Sequence, residues 1–259
     1  MIDIHCHILP GFDDGPSDWD TAIDMCRIAA ADGITHIVAT PHVKEEVYRP
    51  SRQDIEAAVA ELNRRIEGAH NLHILTGADV HFSADLAAQI HAGDIPLING
   101  TNYFLLELPS TTIPVGLRQF VFDLRLMGVC PIVTHPERNS AIQEHEERLQ
   151  ELISGGALVQ ITAMSLTGEF GPAAMKSAER MLRLGFVHNI SSDAHSTTVR
   201  PPVLSRAVER ASQIVGEEAA RSFVEGIPAR IIAGQGIESA QRQKVAKSWF
   251  SFLKKRRWP

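Results

Sequence analysis

The chain opens Met1-Ile2-Asp3-Ile4-His5-Cys6-His7, and far downstream it reads Ser191-Ser192-Asp193-Ala194-His195. Each stretch closes a short apolar run with an alternating pair of metal-ligand residue types. In a β-strand, residues i and i+2 point to the same face. His5 and His7 are therefore expected side by side, and so are Asp193 and His195. Two such pairs at opposite ends of one chain point to a fold that gathers strand ends around metal ions, and so to a metal-dependent hydrolase.

Further apolar runs rich in Val, Ile and Leu recur between these ends, at 36–42, 72–81, 103–108, 131–135, 157–162 and 186–193. Helical patterns alternate with them at 17–32, 51–67, 83–92, 115–127, 140–153, 172–184 and 202–215, several opening on Ser and stopping at Gly. Ser51 and Asp54 stand at capping-box spacing. Strand and helix alternation predicts an α/β fold with a parallel sheet. About seven such units in a chain of this size predict a (β/α) barrel, whose chemistry sits at the C-terminal ends of the strands. The simplest partition is one barrel over residues 1–240 followed by a basic, aromatic tail at 241–259.

Bulk properties agree with a soluble enzyme. Of 259 residues, 44% are hydrophobic and 22% charged. No run approaches the roughly 18 apolar residues of a membrane span. The three cysteines, Cys6, Cys26 and Cys130, do not make a disulfide framework, which fits a reducing cytoplasm. Candidate ligands beginning at residue 5 leave no room for a cleavable leader. The net charge of −6 conceals an asymmetry, because 241–259 carries seven cations and no acid. The acidic remainder argues against nucleic-acid binding. In the tail, Val245, Trp249 and Phe252 could share one helical face. Such a face suits peripheral contact with an anionic membrane, or docking on the acidic barrel. The shortness of the apolar stripe favours docking.

Six clusters carry the chemistry. They are His5-x-His7 with Asp13-Asp14 behind it, Ala39-Thr40-Pro41-His42, Gly77-Ala78-Asp79-Val80-His81, Glu107 within Phe104-Leu105-Leu106-Glu107-Leu108, Thr134-His135-Pro136-Glu137-Arg138, and Asp193-x-His195 followed by Arg200. Each has a bland alternative: a hydrogen-bonded strand histidine, a loop histidine, a helix cap at Asp79, or a buried salt bridge at Glu107. An ionised glutamate in so apolar a strand is costly unless paired or metal-bound. Together the clusters offer five histidines and four carboxylates, a nitrogen-and-oxygen set suited to manganese, iron or zinc. Nine ligands exceed the needs of one ion. Closely spaced ions can activate water and clamp the attacking and leaving oxygens of a phosphate ester.

These motifs, with Gly11-Phe12-Asp13-Asp14-Gly15, Gln160-Ile161-Thr162, Ser165-Leu166 and Phe170-Gly171, resemble the polymerase-and-histidinol-phosphatase (PHP) superfamily. Within it they resemble the bacterial tyrosine-protein phosphatases of capsule and exopolysaccharide operons, the CpsB/YwqE type. The resemblance runs from residue 1 to about residue 235. It implies a distorted (β/α)7 TIM-like barrel, three metal ions, usually manganese, and a phosphotyrosine substrate on a bacterial tyrosine kinase of polysaccharide export. It also implies one ion on His5, His7, Asp79 and Asp193, a second on Asp79, Glu107 and His135, and a third on Asp14, His42 and His195. Arg138 and Arg200 would grip the phosphate, and Asp193 and His195 would stand beside it among the catalytic groups. One departure is visible. Where the family has Gly-Gln-Glu-Ile, this chain has Gly77-Ala78-Asp79-Val80, one methylene shorter at the bridging position.

A cysteine-based phosphotyrosine mechanism would place Arg six residues after a Cys. Those positions hold Phe12, Asp32 and Pro136, so the signature is absent. Two alternatives stay open: a small-molecule phosphatase acting on a histidinol-phosphate-like substrate, and a non-catalytic, metal-stabilised scaffold that binds a kinase.

Overall fold

A computed structural model describes residues 1–44, 47–68 and 71–237. The tail at 241–259 lies outside these residues. Among them nine strands form: β1 (Ile2–Cys6), β2 (His36–Ala39), β3 (His42–Val43), β4 (His73–Thr76), β5 (Asp79–His81), β6 (Tyr103–Glu107), β7 (Cys130–Thr134), β8 (Leu158–Thr162) and β9 (Asn189–Ser191). All ladder pairs are parallel, in two sheets ordered β1-β2-β4 and β3-β5-β6-β7-β8-β9.

The two sheets make one barrel because two apolar runs each cross from one sheet to the other. The run at 36–42 supplies β2 and then β3, and the run at 72–81 supplies β4 and then β5. Gly77 sits at the second crossing. A Cβ there would lie 2.6 Å from Val38 Cγ1, so only glycine lets this stave pass so close to its neighbour. At the other seam, Cys6 bridges Ala194 in parallel, the Ile4 amide donates to Ser191 Oγ, and Ser192 Oγ–H donates to Asp3 at 2.5 Å. Seven staves therefore close on themselves, as the seven apolar runs predict.

Two apolar layers result. Ile2, Ile4, Val38, Tyr103, Leu105, Ile132 and Leu158 fill the barrel interior, and a larger cluster packs the staves against the helices. Cys6 belongs to the larger, outer cluster, turned away from the interior. The β1 register slips between Asp3 and Cys6, where three residues of β1 span two of β2. Such a bulge re-aims side chains. It lets Ile4 stay in the interior cluster while the adjacent His5 also reaches inward to Gln160.

Helix punctuation is largely as expected. Helix Arg52–Ile66 carries the Ser51/Asp54 capping box, with both reciprocal hydrogen bonds formed. The pattern at 140–153 breaks at His145 into Ser140–Glu144 and Glu146–Ser154. Three helices were not expected: Ala163–Thr167, Glu217–Ser222 and Gly226–Ile232. They are too short for amphipathic periodicity to stand out. No helix among the described residues is long and apolar enough to cross a membrane.

Candidate metal centre

Eight of the nine candidate ligands sit in or just past the C-terminal half of a stave. His5 and His7 close β1, His42 and Asp79 begin the continuation strands β3 and β5, Glu107 ends β6, His135 follows β7, and Asp193 and His195 follow β9. Asp14 reaches in from the loop after β1. Four overlapping groups form, each with ligand atoms within 4.8 Å of one another: His7, Asp14, His42 and His195; His5, His7 and Asp193; His5, Asp79 and His135; His42, Asp79 and Glu107. All nine candidate ligands are brought together.

The grouping differs in detail from the one the resemblance implies. His42 Nδ1 lies 3.3 Å from Asp79 and 3.6 Å from Glu107, while its Nε2 lies 3.7 Å from Asp14. It thus faces two groups, not one. His7 also faces the Asp14–His195 group, its ring stacked 3.9 Å from that of His195. Asp79 is fully buried and joins two groups despite its short side chain. The helix-cap alternative for Asp79 is excluded, because it lies in β5 and the next helix begins at Leu86, after Asp85.

The strand geometry expected for Asp193 and His195 is corrected. β9 stops at Ser191, and Asp193 has a left-handed φ of 53°. The chain kinks there, and the pair does not share a strand face. His135 is likewise left-handed, with φ of 36°. Such conformations cost of order 1–3 kcal/mol and persist where surroundings over-determine them.

Ring orientations are set by groups that the motifs contain but to which motif reading gave no role. His5 Nδ1–H donates to Gln160 Oε1 at 2.9 Å, His7 Nδ1–H to Asp13 Oδ2 at 2.6 Å, and His195 Nδ1–H to the Asp193 carbonyl at 3.0 Å. Each bond leaves Nε2 as the lone-pair nitrogen. His5 Nε2 and His7 Nε2 then face each other at 3.1 Å. With both Nδ1 atoms donating, two Nε2 atoms at that distance require a positive charge between them, a shared proton or a metal ion. Asp79 Oδ2 and His42 Nδ1 are buried 3.3 Å apart without a well-formed hydrogen bond to any group, an arrangement that a cation would satisfy.

The electrostatics agree. Burial opposes charge on His5 and His42, yet Asp79, aided by Asp193 at His5 and by Glu107 at His42, pushes each up to about 9. Burial likewise opposes ionisation of Asp79 and Asp193, yet His5 and other neighbours hold both carboxyls well below the usual range. The field favours positive charge where the rings converge. An all-nitrogen-and-oxygen donor set with orphaned atoms fits divalent transition ions.

Beside the centre lies a cavity of about 330 Å³, lined in part by His42, Glu107, His135, Arg138, Asp193 and Arg200. Both arginines give an ion pair to Asp193 Oδ2 at 2.6 Å. They line the cavity, and they also hold a candidate metal ligand, so they are not independent of the metal cluster. Other groups to which the sequence reading gave no role are Asp3, Thr134 and His81. Asp3 is buried and accepts from the His5 and Ser192 amides. Thr134 donates to Asp79, and His81 lies 3.4 Å from Glu107.

Comparison with known proteins follows this geometry. The family profile "Capsular polysaccharide synthesis, CpsB/CapC" matches residues 1–233. The tyrosine-protein phosphatase YwqE of Bacillus subtilis is 37% identical over 201 residues, covering 77% of this chain and 79% of YwqE. The tyrosine-protein phosphatase CpsB of Streptococcus pneumoniae is 27% identical over 243 residues, covering 91% of this chain and 99% of CpsB. A crystal structure from a study of YwqE and CpsB, described as unique metal-dependent tyrosine phosphatases, superposes with a TM-score of 0.90 at 33% identity, covering 95% of this chain and all of that one. A Listeria monocytogenes lactonase, 13% identical with a TM-score of 0.55, shares the fold alone.

Proposed function

Because this chain belongs to the CpsB/CapC family of capsular polysaccharide synthesis, we propose that it is a metal-dependent protein-tyrosine phosphatase. The observation that carries this reading is the convergence of nine nitrogen and oxygen ligand residues in four overlapping groups beside two arginines that line the cavity. One arrangement calls for cations, and the other supplies donors for a phosphoryl group.

His5, His7, Asp14, His42, Asp79, Glu107, His135, Asp193 and His195 would hold three ions, manganese first, with iron or zinc compatible. When bound, such ions polarise phosphoryl oxygens and activate water. The chain's own groups do the rest. Gln160 and Asp13 lock the His5 and His7 rings. Arg138 and Arg200 offer planar donor pairs to the phosphoryl oxygens and offset their developing charge. A tyrosyl oxygen with a pKa near ~10 leaves with less protonation than an alkyl alcohol needs. The substrate would be a phosphotyrosine protein, and a tyrosine kinase of polysaccharide export fits the family's role.

The test compares a phosphotyrosine peptide, p-nitrophenyl phosphate and histidinol phosphate, after chelation and after Mn²⁺ is restored. The expected outcome is no turnover when chelated, recovery with Mn²⁺, and preference for the peptide. Preference for histidinol phosphate would make this a small-molecule phosphatase. No turnover of any substrate in the metal-loaded protein would make it a scaffold.

A further inference from the structure

Phe170 belongs to a motif that the metal centre does not use. Its ring is not part of the cavity lining, but both cavity arginines lie over it. Arg138 Cζ is 4.7 Å from the ring centroid and Arg200 Cζ is 5.5 Å. Both guanidiniums also reach the same oxygen, Asp193 Oδ2, at 2.6 Å. Two like charges drawn to one atom repel each other, and each side chain is long and only partly buried. An aromatic face attracts guanidinium planes and limits their orientations.

The backbone is shaped to place this ring. Helix Ala163–Thr167 ends at Gly168, with φ of 95°, and Phe170 is followed by Gly171, with φ of 86°. Nothing lies within 4 Å of a Cβ added at Gly171, so the requirement there is conformational, not steric. The left-handed turns reverse the chain around Phe170 before helix Gly171–Leu184 begins. The same segment is tied to the turn that carries Arg138. Ser165 Oγ–H donates to Glu137 Oε1 at 2.6 Å, and that oxygen also accepts the Thr162 amide at 3.0 Å. Glu137 is fully buried and immediately precedes Arg138.

We propose that Phe170 is a positioning residue for phosphate binding, a shelf that holds Arg138 and Arg200 spread side by side when a phosphoryl group displaces them from Asp193. This rests on the phosphate role proposed above for the two arginines. Phe170 touches no reacting atom and acts only through the guanidiniums.

The test uses the full chain loaded with Mn²⁺, in the Phe170→Met, Phe170→Tyr, Arg138→Ala, Arg138→Ala/Arg200→Ala and Phe170→Met/Arg138→Ala/Arg200→Ala forms. Readouts are inhibition by inorganic phosphate, kcat and KM on a phosphotyrosine peptide, bound metal and Tm. Methionine nearly conserves volume but has no π face. Phe170→Met is expected to weaken phosphate inhibition and lower kcat/KM by about tenfold. Metal content and Tm should stay near wild type, and Phe170→Tyr should keep wild-type inhibition. Adding Phe170→Met to the double arginine variant should change nothing further. If Phe170→Met is inhibited like wild type while Arg138→Ala is not, the shelf is wrong and the arginine role stands. Unchanged inhibition in Arg138→Ala would overturn the arginine role and the shelf with it. If Met and Tyr variants lose metal and Tm together, Phe170 is core packing and the proposal fails.

Discussion

Asp193 joins the two halves of the site through one carboxylate. Its Oδ1 lies 3.4 Å from both His5 Nε2 and His7 Nε2, and its Oδ2 takes both arginines. A phosphoryl group that recruits the arginines would release Oδ2 from both ion pairs. Removing one arginine therefore removes a phosphate donor and also unbalances a buried carboxylate. Arg138→Ala is expected to lower kcat/KM by about 10²-fold or more, and Arg200→Lys to recover only part of the corresponding loss, because lysine lacks the planar fork. Steady-state kinetics checks both. At Asp79, whose Oδ2 has no well-formed hydrogen bond, asparagine keeps the shape and removes the charge. Asp79→Asn should lose bound metal by elemental analysis and drop kcat by orders of magnitude. Wild-type metal content in that variant would remove Asp79 from the ligand set.

At the scale of elements, the site depends on the seam between the first and last staves. β1 and β9 are joined through side chains more than through a regular ladder. Asp3 is buried and accepts from the His5 amide at 3.2 Å and from Ser192 through both its amide and its hydroxyl. Burial nevertheless raises its pKa, so the carboxylate sits at a cost that these donors offset. The seam places His5 from one end of the chain beside Asp193 from the other. Asp3→Ala would take the acceptor from two buried amides, those of His5 and Ser192, while the Ser192 hydroxyl keeps the His5 carbonyl, and is expected to cost about 3 kcal/mol, with Ser192→Ala costing about 1 kcal/mol. Urea unfolding with an unchanged m-value would measure this. A loss under 0.5 kcal/mol for Asp3→Ala would show that the barrel closes without it.

For the whole molecule, stability should depend on pH through a histidine remote from the cavity. His188 is buried, its Nδ1 accepts the Val159 amide at 3.2 Å, and burial lowers its pKa to about 4. The unfolded chain titrates near 6.5. Because the folded state binds the proton more weakly, this contribution is fully present above about pH 6.5 and is lost as pH falls toward 4. His188→Asn can keep the acceptor and removes the titration. Between pH 7 and 4, wild type should lose up to about 3 kcal/mol more than His188→Asn. The comparison cancels the ligands titrating in the same window. Parallel losses in chemical denaturation at the two pH values would exclude His188 as the source.

The sequence alone carried the seven-stave barrel and the set of residues that converge at its strand ends, because both depend on local information. Apolar runs ending in His, Asp or Glu mark strand ends, and a capping box such as Ser51/Asp54 is written in four consecutive residues. What it left out depends on contacts between distant segments. The splitting of two staves across two sheets needs Gly77 to lie against Val38. The bulge that turns His5 inward is visible only once β1 is paired with β2. The kink at Asp193 replaces the strand alternation that its spacing predicts, because the chain must bridge back to Cys6. The roles of Asp3, Gln160 and Phe170 were equally hidden, since an acid, an amide and an aromatic ring look ordinary until the fold sets them against His5, Asp193 and the two arginines. Local spacing determines which residues can face one another, and only barrel closure decides which ones do.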